Sequence, residues 1–512
     1  MSMRRWQWWL AALGVIGAGA SAHALTLPEI FSRQMVLQRD RPVPVWGTAE
    51  PGAEVTVSFG GQKKSATADA AGKWRVALDP LPASAAAREL SVSCGAPKPE
   101  RVSFDDVLVG EVWLCTGQSN MFWPLGKIAN QRSSWPGVQN GEAEVAHARW
   151  PLIRLNCAAD YELGHGGWHV CAPESARGFS ATAYFFGREL HRALGVPIGL
   201  INRSIGGTSL QAWTPKPELE ALPFIQQNAR LLEESRGRIQ QWNREFAAFR
   251  EAVKQGAASR PQRPPTLPDE LETARKLQNH GELHERYVAP LVPFALRGTI
   301  WYQGESNAAP RALAVAYEDM LAALIASRRR LWNDPAHPFY FVQLPIFQPP
   351  AGEHWHVVRE AMRRVHQRTS HTGMVVTYDF CDSTTLHPAE KQEVGRRLAL
   401  WALARTYDRA VAFSGPLFRV ARFDGHTAVV EFDYAQGLRS RDGESLRGFE
   451  LAGDNWEFHP AEAIVAGETI RVHSAAVPQP RHVRFFHGGL TAPNLVNGAD
   501  LPASPFVSAA RF

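Results

Sequence analysis

The chain has 512 residues, 45% hydrophobic and 21% charged, with a formal net charge of +5. That balance excludes a largely disordered polypeptide, and so small a charge on so long a chain excludes an electrostatic nucleic-acid binder. Length alone is compatible with about three domains.

At the start, Arg4 and Arg5 precede an apolar stretch from Trp8 to Ala20 and then Ala22-His23-Ala24. This is the basic region, short apolar region and A-x-A site of a secretory signal peptide. Residues 1–24 are expected to be removed, taking two positive charges with them, and the remainder to be periplasmic or secreted. The stretch is too short for a bilayer core, which needs about 20 apolar residues, and no membrane span is expected later.

Residues 25–105 read as short strands with turn punctuation: Val43-Pro44-Val45-Trp46, Val55 to Phe59 before Gly60-Gly61, Trp74 to Leu78 and Leu90 to Cys94. Alternation at this spacing predicts a small antiparallel β-sandwich. From 106 to 409 the texture becomes α/β. Apolar runs at Val107–Cys115, Ile198–Asn202, Gly298–Gln303, Phe339–Leu344 and Met374–Tyr378 alternate with helical stretches at Ala181–Leu194 and Pro388–Tyr407, which predicts a mostly parallel sheet covered by helices. A charged helical insertion is expected at about 216–285, with Leu231, Leu232, Ile239, Trp242 and Phe246 at helical spacing and Arg260 to Pro265 splitting it into two arms. It reads as a hairpin packed on the sheet or as a lid. Residues 410–512 return to β texture, and association of the two β-rich ends into one accessory unit is expected.

Five cysteines are too few for a disulfide scaffold. Cys157 and Cys171 are the pair that a short loop could close. Cys115, inside an apolar run, reads as a small buried hydrophobe.

Four loops carry the candidate chemistry. Gly117-Gln118-Ser119-Asn120-Met121 follows the first α/β strand, where the ligand crevice of an open sheet lies. It lacks the second glycine of a G-x-S-x-G elbow, and by itself it is also a plausible helix cap. Ser204-Ile205-Gly206-Gly207-Thr208 can bring backbone N–H groups close to an oxyanion or simply turn the chain. Trp301-Tyr302-Gln303-Gly304-Glu305-Ser306-Asn307 ends another strand, and Asn307 can aim an amide at developing charge. In Asp382-Ser383-Thr384-Thr385-Leu386-His387-Pro388, Pro388 suits a first helical position, and His387 is a base able to activate a serine hydroxyl. Nucleophile, oxyanion donors and base form a coherent acyl-transfer set.

In this order the four elements resemble the sialate O-acetylesterase-like family of SGNH hydrolases. Phe31 to Gln38, Pro44-Val45-Trp46-Gly47, Glu111 to Met121, Gly206 to Thr214, Ile300 to Asn307, Leu386-His387-Pro388 with Lys391, and Pro502 to Phe506 carry the resemblance. It implies an SGNH (flavodoxin-like) three-layer α/β/α core with accessory β-sandwich regions at both ends. Ser119 would attack an acetyl carbonyl, and His387 would act as base and then as acid. The oxyanion hole would comprise the N–H groups of Ser119 and Gly207, with Gly206 the alternative, and the Asn307 amide. Gln118, Gln303 and Glu305 are candidate substrate contacts. Thr384 stands where many such enzymes carry the orienting aspartate, so either Asp382 completes a triad, Asp379 lying farther off, or a Ser–His dyad operates. No cofactor is required. The expected partner is an acetylated oligosaccharide or polysaccharide, either a plant cell-wall polymer such as xyloglucan or xylan, or O-acetylated sialic acid. Three further readings stand beside this one: a zinc loop at His165, His169 and Cys171, glycoside hydrolysis through Glu305, and non-catalytic carbohydrate binding.

Overall fold

The computed structural model describes residues 24–508 except 96–98, 130–133, 159–165, 256–263, 279, 349–351, 382 and 489–490. Residues 1–23 of the expected leader therefore lie outside the described residues, as do Asp382, His165 and the Arg260–Arg263 part of the insertion.

The central sheet is built from β1 (Glu100–Gly117), β2 (Trp150–Cys157), β3 (Gly167–Cys171), β4 (Ile198–Ser204), β5 (Gly298–Tyr302), β6 (Phe339–Val342) and β7 (Thr372–Val375). Their spatial order is β3-β2-β4-β1-β5-β6-β7. Every pairing is parallel except the β2–β3 edge. After β1 the chain crosses outward to β2 and returns through β4, then continues on the other side through β5. The crossovers thus change direction between β4 and β1, and that switch point opens a crevice at the strands' carboxyl ends. The helices Ala181–Leu194 (α1) and Lys391–Arg405 (α2) pack against each other, as do Arg311–Leu331 (α3) and Trp355–Arg368 (α4). Buried Trp113, Trp213, Trp301 and Trp401 fill the space between sheet and helices, with Trp113 edge-on to Phe186 and stacked on Tyr340.

The expected boundary near residue 105 falls inside β1. The strand's first part, where exposed and half-buried residues alternate, pairs antiparallel with Ser84–Cys94. Its second part is buried throughout and pairs with β4 and β5. One strand therefore serves two sheets. Most of the preceding strands pair antiparallel, as expected: Glu54–Phe59 turns through Gly60 and Gly61, both at positive φ, into Gln62–Thr67, the geometry that a two-residue hairpin requires, whereas Val36–Gln38 pairs parallel with β1.

The C-terminal strands make two four-stranded sheets, one from Leu417–Asp424, Thr427–Asp433, Thr469–His473 and Glu462–Ala466, the other from His459–Pro460, Phe449–Ala452, His482–Phe485 and Phe506–Val507. Their apolar cluster takes in Ile346, Val376 and Tyr378 of the α/β core, whereas the N-terminal strands share a different cluster with that core. The two β-rich ends thus pack on the core separately, which corrects the expected single accessory unit.

Two local expectations also change. Cys157 and Cys171 are both free: in the β2–β3 ladder Cys157 faces Gly167 and Cys171 faces Trp150, at opposite ends. The last long helix begins at Lys391, capped by the Glu390 side chain, so Pro388 lies before it and not at its first position. The insertion holds Pro223–Lys254 and Asp269–Gln278, two arms packed together, with Trp242 hydrogen-bonded to the Pro265 carbonyl between them. Among the described residues no helix is long and apolar enough to cross a membrane.

Candidate active site

Ser119 opens a four-residue helix directly after β1. Gly117, at φ +147°, makes this exit possible, because a Cβ there would lie 2.1 Å from the Tyr302 carbonyl oxygen. That closeness lets the Gln118 N–H donate to the same carbonyl at 3.0 Å. From the other side of the crevice His387 brings Nε2 to 2.8 Å from Ser119 Oγ, across 268 residues of sequence. Burial, reinforced by the Lys391 charge, lowers the His387 pKa to about 4. The imidazole is therefore neutral at pH 7 and able to accept a proton from the hydroxyl.

The Trp123 indole stacks on the His387 ring at 4.4 Å and is tied by Nε1 to the Gly137 carbonyl. Among the described residues no carboxylate hydrogen-bonds His387. Asp379 is held by Arg397 in a bidentate pair and by Arg441, so it is engaged elsewhere. Burial alone would raise its carboxyl, but these guanidinium groups bring it below the usual range.

The Gly206-Gly207 turn after β4 flanks Ser119. A Cβ on Gly206 would stand 3.4 Å from Ser119 Cβ, and Gly207 has φ +71°. The backbone N–H groups of Ser119, Gly206 and Gly207 find no acceptor among the described residues. Asn307 is placed differently from the sequence expectation. It is fully buried behind the turn, its Nδ2 donates to Gln211, and its Oδ1 accepts from Leu210 N and Gln303 Nε2. Gln303 also departs from its expected role as a substrate contact: its amide donates to the Thr208 carbonyl and accepts from Tyr317. The two amides are joined by the Gln303 Nε2–Asn307 Oδ1 bond beneath the Gly206-Gly207 turn, and neither lines the cavity.

Gln118 and Glu305 do line the cavity, which encloses about 820 Å³. Its walls include Phe122, Trp135, Tyr287, Phe347 and Trp355, and no arginine lies among the described lining residues. Lys276, from the second arm of the insertion, reaches this wall, but its ammonium already donates to the carbonyls of Ser306 and Ala309. The insertion thereby contributes directly to the site. Gln118 Oε1 accepts from Ser306 N at 3.3 Å. Glu305 Oε1 accepts from Asn120, and its other oxygen is buried without a partner. Burial raises the Glu305 carboxyl despite the Asn120 hydrogen bond, its backbone contacts and the Lys391 charge.

Sequence reasoning missed Trp123, Trp135, Lys276 and the role of Asn120. Trp123, four residues after Ser119, had a usable signal in its proximity to the nucleophile. Lys276 had none, because only the folded insertion brings it near. No group of three or more potential metal ligands occurs among the described residues, and His169 of the supposed zinc loop is hydrogen-bonded to the Gly166 carbonyl.

Comparison with known proteins places this geometry in context. The family model described as carbohydrate esterase, sialic acid-specific acetylesterase, matches residues 109–233 and 274–404, omitting most of the insertion. The sialate O-acetylesterase of Mus musculus is 28% identical over 444 residues, covering 79% of this chain and 78% of its own. That of Homo sapiens is 28% identical over 453 residues, covering 80% and 76%. The crystal structure of a carbohydrate acetylesterase from Xanthomonas citri superposes with a TM-score of 0.77 at 32% identity, covering 95% of this chain and 99% of the other.

Proposed function

Since the chain belongs to the sialic acid-specific acetylesterase family of carbohydrate esterases, and so is a carboxylic ester hydrolase, we propose that it removes O-acetyl groups from a neutral, exported-side polysaccharide through an acyl-enzyme on Ser119. The observation that carries this reading is the 2.8 Å approach of His387 Nε2 to Ser119 Oγ at the floor of a large aromatic-walled cavity. His387 takes the hydroxyl proton as Oγ attacks the acetyl carbonyl. The backbone N–H of Ser119 and that of Gly207, with Gly206 as the alternative, stabilise the tetrahedral oxyanion. His387 then protonates the departing sugar alkoxide. Water, activated by the same imidazole, releases acetate and restores the serine. The proposed core is the three-layer SGNH type, for which the parallel sheet and its two helix pairs are the support.

Cavity chemistry supports a neutral sugar. Aromatic faces suit the C–H surfaces of pyranose rings, whereas a sialic carboxylate calls for an available cation. The lining ammonium of Lys276 is already bound to two carbonyls. Acetylated xyloglucan or xylan is therefore the preferred substrate class, and the A-x-A leader pattern at 22–24 supports action outside the cytoplasm. Sialate O-acetyl esters are the second reading, favoured by the names of the mammalian relatives.

The test is acetate release from acetylated xyloglucan, xylan and sialoglycan, with an aryl acetate as reference. Wild-type turnover of the aryl acetate and its loss in Ser119→Ala are expected, together with a preference for a neutral polymer. Sugar binding without ester turnover would overturn the esterase reading, and preference for the sialoglycan would overturn the substrate assignment.

A further inference from the structure

Asn120, the residue after the nucleophile, is fully buried and uses both ends of its amide. Nδ2 donates to Glu305 Oε1 at 2.5 Å and to the Leu386 carbonyl at 3.2 Å, while Oδ1 accepts from Lys391 Nζ at 2.5 Å. The three partners come from three places: the loop after β5, the residue bonded to His387, and the first residue of α2. The Asn120 backbone carbonyl is fixed as well, by Thr182 Oγ1.

Only a side chain with two donors and an acceptor fits this arrangement. Aspartate would keep the Lys391 contact and lose both donations, and leucine would lose all three. Lys391 is itself fully buried, with Nζ over the Tyr302 ring at 5.2 Å. Such a cation is tolerable only where hydrogen bonds and a nearby acid compensate for lost water.

We propose that Asn120 is a positioning residue that sets the Ser119–His387 distance, by clamping the carbonyl of Leu386 to the nucleophile loop, with Lys391 and Glu305 fixing the amide that makes the clamp. This rests on the reading of Ser119 as nucleophile. The clamp connects nucleophile and base through the main chain, and it acts on the peptide just before His387, so it fixes where the imidazole starts from. The Trp123 stack then fixes the plane of the ring.

The experiment is a kinetic cycle on the full-length enzyme with an aryl acetate, using Asn120→Asp, Lys391→Met, their double variant and Ser119→Ala. A shift of about 1 Å in reacting groups typically costs roughly 10² in rate. Asn120→Asp and Lys391→Met are therefore each expected to lower kcat by roughly that factor at nearly unchanged KM. The double variant should lose little more than either single, because the two residues act as one unit. Multiplicative losses in the double variant, or wild-type kcat in Asn120→Asp, would overturn the clamp. Should Asn120→Asp fail to fold, Lys391→Met decides the matter: full kcat in a folded Lys391→Met protein overturns the proposal. If Ser119→Ala remains active, the nucleophile assignment fails instead, and the two failures are told apart.

Discussion

Two buried carboxylates, one near each end of the inner half of β1, have opposite fates. At the lower end Glu111 accepts from Gln38 Nε2, Arg39 and two nitrogens of Arg297. Burial alone would raise its carboxyl, but these donors bring it below the usual range. At the upper end Glu305 accepts one side-chain hydrogen bond, from Asn120, and burial wins. Glu111 joins the N-terminal strands, which carry Gln38 and Arg39, to the α/β core. Glu305 lines the cavity with Ser119 and accepts from Asn120, the next residue. A saturated buried charge holds elements together, whereas an incompletely satisfied one marks where the fold serves chemistry instead of stability.

Substitutions at the two ends should separate accordingly. The largest effect is expected at the upper end: Ser119→Ala should lower kcat for an aryl acetate by about 10⁴-fold or more with a melting temperature close to wild type. At the lower end, Glu111→Ala leaves two guanidinium groups without their shared partner. Breaking a buried ion pair from one side costs about 3–5 kcal/mol. Calorimetry should show a clear drop in Tm, while the folded fraction retains wild-type kcat. Loss of kcat in a stable Glu111→Ala protein would break the division.

The smallest effect on activity is expected with pH. His284, His337, His356, His366, His387 and His487 are all lowered by burial, to about 3 or 4, from about 6.5 in an unfolded chain. Between those values the unfolded state binds more protons, so stability rises with pH there and is lost as pH falls below about 6.5. Activity depends on neutral His387 alone and should hold until pH approaches about 4. Thermal melts should therefore decline at a higher pH than kcat/KM does, and coincident curves would show that His387 titrates with the fold.

Much of the site was legible because its main parts sit at strand ends in short, chemically marked loops: Ser119 after β1, Gly206 and Gly207 after β4, and His387 before the last long helix. Asn307 and Gln303 are harder to read because an amide in a loop looks available until its partners are known: here Gln303 donates to Asn307, and Asn307 donates to Gln211. The boundary near residue 105 falls where the chain does change its packing, but within a single strand. Alternating burial up to Asp105 and continuous burial beyond look like two strands of two domains, but one strand that changes its neighbours produces the same pattern. Asn120 was overlooked because its three partners lie at Glu305, Leu386 and Lys391, separations at which a sequence carries no record of contact.

Activation of Ser119 by His387 can be probed by treating the enzyme with a fluorophosphonate and locating the adduct by peptide mass spectrometry. The geometry predicts a single rapid adduct on the peptide carrying Ser119, lost with ester turnover and suppressed in His387→Ala. An enzyme that continues to release acetate with Ser119 unlabelled, or that labels equally well without His387, would contradict it.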